Sequence, residues 1–239
     1  TLASSLSLVG GFNVAAGDDT GEERDPDGNP TIIDGSAGYA LSATGAGAVG
    51  VVADGFTLTG LAGEGAGGLV VSAGAEVSVS RCAFTCPNIG LTLSGATLSV
   101  DRCLFRNESV GVNVPSGSLT LRDSIVTGCG NGVSGSGSYV LTNNTFVLNN
   151  AGISVYTSGN TIANNIVAFN QTGIYCGYSY PQAAVELVPV PATIHTRPFT
   201  RSFTNAHSCR RSSTVQVAAS PVEPLTTRPL EPTAKPARR

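Results

Sequence analysis

Arg81, Asp101, Arg102, Arg122 and Asp123 stand in the related segments "SRC", "VDRC" and "LRDS", with Arg81, Arg102 and Asp123 spaced 21 residues apart. Basic and acidic groups gathered on one surface could withdraw a proton from a substrate and hold a calcium ion. The competing reading is a solvated edge with ion pairs between repeats, since surface charges usually carry no chemistry. No His precedes His195, which excludes a His base or a His-centred triad from the repeats. His195 and His207 both lie in the tail.

Three other groups are candidates. The acidic stretch "GDDTGEERDPDGN", residues 17–29, could hold calcium through Asp25, Asp27 and Asn29, but it lacks the distal Glu and the spacing of an EF-hand loop. Its composition is equally that of a polar turn. Tyr156, Tyr175, Tyr178 and Tyr180 gather late in the repeats and could offer a stacking platform to sugar rings or cover apolar surface at the end of the repeat array. The six Cys form no metal pattern, because the C-x3-C pair Cys82 and Cys86 has no second pair or His partner. Cys82 and Cys103 fall one repeat apart, where both a disulfide and a reduced ladder fit.

These residues depend on the elements that position them. All 30 Gly lie at or before Gly177, whereas residues 178–239 carry nine of the 13 Pro. The body has a formal charge of −8 and the tail of +5. An acidic body argues against a nucleic-acid partner, and no apolar run reaches the length of a membrane span. The chain has no initiator Met and no charged-then-apolar leader, the pattern of a mature form or a fragment.

"NNTFVLNNAGI" (143–153) returns 21 residues later as "NNIVAFNQTGI" (164–174). The same period governs the Gly-aliphatic marker at Gly68, Gly90, Gly111, Gly132, Gly152 and Gly173. It also governs the column Cys82, Cys103, Ser124, Asn144, Asn165, with Phe84, Phe105, Val126, Phe146 and Val167 two residues on. Short alternating runs such as Leu98 and Val100 indicate strands with one buried face. Like residues repeating from one period to the next predict coils stacked in parallel, a single-stranded parallel β-helix with about 21 residues per coil. The Cys82-to-Asn165 column is then a structural ladder at a bend, with its amides bonded to one another and to turn backbone. The marker glycines are expected to supply tight bends or a left-handed backbone. Residues 1–52 form N-terminal coils with the acidic loop, 53–177 the regular repeats, and 178–239 an irregular Pro-rich basic tail, either disordered or the product of a shifted coding frame.

The repeats "VSVSRCAFTCPNIGLTLSG" and "LTNNTFVLNNAGISV" resemble right-handed parallel β-helix repeats of the pectin-lyase-like superfamily. "LSLVGGF", "ERDPDGNPTIIDG" and "VVADGFTLTG" resemble the start of such domains in bacterial secreted and surface proteins. The resemblance implies a right-handed coil and a secreted or cell-surface location. In that superfamily a uronate lyase would use Arg or Lys as base, often with calcium, which the Arg81 to Asp123 patch could supply. The "NTD", "DD", "GHG" and "RIK" segments of polygalacturonase-like hydrolases are not all present, and "GDD" (17–19) stands without the others. The expected function is therefore a polysaccharide-binding, adhesive or structural module, with no resident cofactor unless calcium is held. A polysaccharide lyase or glycoside hydrolase is the alternative. A periplasmic metal-handling β-helix is a third reading, disfavoured by the lack of Met and of body His.

Overall fold

Val77 and Val79 in Glu76–Ser80, and Leu98 and Val100 in Thr97–Asp101, are buried and alternate with more exposed polar residues. A two-residue period of this kind gives a strand with one face turned inward. The computed structural model of the chain describes residues 5–12, 24–35, 38–60, 66–157, 159–177 and 185–188. Its strands fall into three parallel sheets of eight, seven and seven strands, each visited once per turn.

The first sheet comprises Ser7–Val9, Val51–Asp54, Glu76–Ser80, Thr97–Asp101, Ser118–Arg122, Ser138–Thr142, Asn160–Ala163 and Val185–Val188. The second comprises Thr31–Gly35, Phe56–Gly60, Ala83–Phe84, Leu104–Arg106, Ile125–Thr127, Thr145–Val147 and Ile166–Ala168. Tyr39–Thr44, Gly67–Ser72, Ile89–Ser94, Val110–Asn113, Asn131–Ser134, Ala151–Val155 and Thr172–Cys176 form the third. The fold is an all-β parallel solenoid of about seven coils of about 21 residues. Val185–Val188 pairs with Asn160–Ala163, so the winding continues for one strand inside the segment expected to be irregular.

Register places like on like through the core. Val79, Val100, Leu121, Leu141 and Ile162 form one inward column, and Leu58, Phe84, Phe105, Val126, Phe146 and Val167 another. Phe84 and Phe105 stack with centroids 4.4 Å apart and planes 8° apart. Val126 separates Phe105 from Phe146 in register, so the aromatic stack is confined to the Phe84–Phe105 pair.

The bends correct the expectation for the marker glycines. Gly68, Gly90, Gly111, Gly132, Gly152 and Gly173 all lie in or beside third-sheet strands, and none has a positive φ. Gly68, Gly111, Gly132 and Gly152 are small because coils approach closely there: a Cβ on Gly132 would lie 2.3 Å from Gly152 O, and one on Gly68 2.6 Å from Gly90 O. The left-handed positions fall elsewhere. Gly55, Arg81, Arg102, Asp123, Asn143 and Asn164 form one such column, with φ between 49° and 78°. Asn107, Gly128, Leu148 and Phe169 form a second, with φ between 56° and 69°.

Leu148 therefore combines a left-handed backbone with 65% exposure, at a position that Gly128 occupies one coil earlier. Leu148→Gly is expected to stabilise the solenoid by about 0.5–1 kcal/mol, because relief of the left-handed strain outweighs the entropy lost by glycine. Gly132→Ala is expected to destabilise it by about 2–3 kcal/mol through overpacking. Urea denaturation of both variants checks the pair, and the reverse order of stability would contradict this assignment of strain.

Candidate functional site

A bend between parallel strands leaves backbone N–H groups without a strand partner, and in this chain the next coil's side chains accept them. At the first bend, Cys103 N–H donates to Ser124 Oγ (3.0 Å), Ser124 N–H to Asn144 Oδ1 (3.0 Å) and Asn144 N–H to Asn165 Oδ1 (2.8 Å). Asn144 Nδ2 donates onward to Leu121 O at 2.8 Å and to Asn165 Oδ1 at 3.0 Å. Each link satisfies a buried donor that would otherwise cost about 1–3 kcal/mol. The candidate ladder residues Cys82, Cys103, Ser124, Asn144 and Asn165 thus stand in one column.

A second ladder lies at the next bend and was not singled out from the sequence. Cys129 N–H donates to Asn149 Oδ1 (2.8 Å), and Asn149 N–H to Asn170 Oδ1 (2.8 Å). Its signal was present in "NNTFVLNNAGI" and "NNIVAFNQTGI", where an Asn follows the first-ladder Asn at a distance of five residues. One coil before Cys129 the column holds Glu108, 3% exposed, with Oε2 at 3.9 Å from Cys129 Sγ and Oε1 without a partner among the described residues. Burial, only partly offset by the Cys86 backbone and the Cys129 thiol, pushes this acid up to about 10, so it is neutral at pH 7. Burial likewise pushes the Cys86 and Cys129 thiols up to about 12.

Cys82 differs from these two thiols. The Phe56 N–H donates to its sulfur at 3.5 Å, and the thiol in turn faces Ser80 O at 3.3 Å. The Cys103 thiol and the backbone donors lower its pKa against the opposing effect of burial, while burial drives Cys103 well up. Both thiols are free.

The charged candidates separate. Arg102 Nε and Arg122 Nε both donate to the Asp101 carboxylate, at 2.7 and 3.1 Å, and both arginines are more than half exposed. Asp123 takes part in no ion pair among the described residues, and Arg81 turns away to Asp54. Asp54 is a centre that sequence reasoning missed. It receives Arg24 Nη1 at 2.8 Å, Arg81 Nε at 2.9 Å and Ser80 Oγ at 2.8 Å, while Arg24 also donates to Gly10 O. Although burial opposes it, hydrogen bonding from Arg81, Arg24 and Ser80 holds the Asp54 carboxyl well below the usual carboxylate range. No spacing rule links Arg24 to Asp54; the winding of the intervening coil, through Thr31–Gly35 and Tyr39–Thr44, brings them together.

Asp25 Oδ1 accepts from Asp27 N–H (3.2 Å) and Gly28 N–H (3.0 Å), the bonds of an Asx-type turn. Asn29 closes the same turn through its N–H to Asp25 O. Residues 13–23, including "GDD", lie outside the described residues, as do Tyr178, Tyr180, His195 and His207. Tyr156 and Tyr175 meet edge to face at 5.9 Å on the last coils. Among the described residues no three His, Cys, Asp or Glu converge as a metal-binding group, and no helix is long and apolar enough to cross a membrane.

Three parallel sheets, two side-chain ladders at the bends and a stacked core define a parallel β-solenoid module. Residues 29–183 match the family described as periplasmic copper-binding protein (NosD), and the chain belongs to that family. Its members are right-handed parallel β-helices, consistent with the pectin-lyase-like resemblance in fold. No curated protein matches the chain, and no solved structure matches it. The family is periplasmic, which implies an envelope or extracellular location for this module.

Glu108 gives the site a pH signature. The unfolded acid ionises near its ordinary value of about 4.3, whereas the folded acid stays protonated up to about 10. Between those values the folded chain holds one more proton than the unfolded chain, so stability falls as pH rises through that window. Glu108→Gln is expected to flatten the decline between about pH 5 and pH 9 and to exceed the parent in stability at pH 8. Chemical denaturation at a series of pH values checks it, and equal pH slopes for the two proteins would contradict a neutral buried Glu108.

Proposed function

We propose that this chain is a non-catalytic β-solenoid module of the cell envelope that binds polysaccharide along its outer surface. The observation that carries the reading is the pairing of the candidate chemistry with itself: Arg102 and Arg122 share the single carboxylate of Asp101. A guanidinium held in this way is a poor base, and its carboxylate is already neutralised. Arg81, Arg102 and Asp123 also occupy left-handed bend positions, which gives them a place in the coil without a catalytic role. Tyr156 and Tyr175, partly exposed and in contact, supply an aromatic surface of the kind on which sugar rings stack.

Affinity measurements on a panel of uronate and neutral polysaccharides test the proposal, with ultraviolet absorbance followed in parallel for unsaturated product, with and without calcium. Binding without product, weakened about tenfold by Tyr175→Ala, is the expected result. A calcium-dependent rise in absorbance abolished by Arg102→Ala would replace the proposal with a lyase.

Copper handling is a second reading, favoured by the description of the family and by one feature of this chain. The protein has no Met, and the described residues have no His, so the usual nitrogen and thioether donors for copper are missing from the solenoid. Thiols remain, and thiolate suits the cuprous ion. Cys82 and Cys103, both buried and free on adjacent coils, are the candidate donors.

A further inference from the structure

We propose that Cys176 and Cys209 form a disulfide that closes residues 177–208 into a loop and holds that loop over the open end of the solenoid. The inference is independent of polysaccharide binding and of copper.

The chain has six Cys. Cys82, Cys86, Cys103 and Cys129 are free, whereas Cys176 is disulfide-bonded. Cys209 is the one cysteine left to partner it.

The position of Cys176 gives the bond a purpose. It ends Thr172–Cys176, the last strand of the third sheet, and among the described residues no strand pairs with the far edge of this strand or of Ile166–Ala168. Such edges present N–H and C=O groups on which another chain can pair. The inward side chains of this coil record the opening. Val167 and Ile174 are only half-buried, whereas their register partners Phe146 and Ile153 are fully buried. Cys176, the register partner of Val155, is nevertheless buried, at 5% exposed. A side chain shielded on the last coil marks a point where cover is fixed.

The intervening chain suits a cap. Val185–Val188 pairs with Asn160–Ala163 at the same end and lies inside the closed loop, so the bond also ties down the strand on which the winding ends. Cys209 follows Val188 by 21 residues. One whole coil takes about 21 residues, so a segment of that length reaches any point of the end face. Pro189 and Pro191 have no N–H to donate. In extended chain, positions two apart face the same side, so this stretch can lie over a sheet edge without offering a full row of donors to the next chain.

Formation needs an oxidant, and a disulfide donor serves. The two thiols give up two electrons and two protons, and the donor disulfide leaves as two thiols. An envelope or extracellular location is where such bonds form and persist. Cys86 and Cys129, with thiols pushed up to about 12 by burial, have little thiolate with which to compete.

The test uses the full chain refolded with oxidised glutathione, alkylated without reduction, digested with chymotrypsin and mapped by mass spectrometry. One cross-linked pair of peptides holding Cys176 and Cys209 is expected, with the other four cysteines alkylated once the protein is denatured. Melting temperature is then compared for the parent, Cys176→Ser, Cys209→Ser and the double variant, with and without dithiothreitol. A fall of about 5–10 °C is expected in Cys209→Ser and in the reduced parent, with no response to reductant in any variant and no further fall in the double variant relative to Cys176→Ser. Cys209 alkylated in the native oxidised chain would overturn the proposal, as would a Cys176 bond to a second copy, seen as a dimer on a non-reducing gel. A mapped bond whose loss leaves the melting temperature unchanged would overturn its role as a cap.

Discussion

Coils stacked in register at one inter-strand spacing are the constraint on which the rest of this structure depends. A side chain at any position meets its counterpart above and below, so each column must tolerate its own repetition. Apolar columns meet this condition by burial, as Val79, Val100, Leu121, Leu141 and Ile162 do. Bends meet it differently, because their N–H groups need acceptors from the next coil. Asn144 and Asn165 serve because one amide can accept from the coil before and donate to a carbonyl at once.

The same constraint explains what the sequence made legible. Register copies residue types at a fixed spacing, and so the parallel solenoid and the first ladder could be read from the column Cys82, Cys103, Ser124, Asn144, Asn165. The second ladder obeys the same spacing but changes identity from Glu108 to Cys129 to Asn149, which hid its continuity. The marker glycines were visible as a column, yet their cause was misassigned. A repeated Gly signals either a left-handed backbone or a close approach, and only the positions of neighbouring coils distinguish them. The Arg24 to Asp54 contact had no periodic signal, since it joins a loop to a coil.

Residues whose types suggest chemistry also hold positions in this scheme. Arg81, Arg102 and Asp123 precede ladder residues and adopt the left-handed turn that feeds them into the bend. Their charges are then partnered nearby, Arg81 with Asp54 and Arg102 with Asp101. Where a ladder position is filled by something other than an amide, the column acquires a different capacity. Glu108 places a neutral acid in the wall of the solenoid, and Cys82 with Cys103 places two soft donors one coil apart.

Hydrogen–deuterium exchange, resolved by residue, tests the central claim most directly. If side-chain acceptors on the next coil hold the bends, the amides of Ser124, Cys129, Asn144 and Asn149 should exchange as slowly as the strand amides of Leu121 and Val126. Fast exchange at those four amides, with the strand amides protected, would show that the bends are held by something other than the ladders.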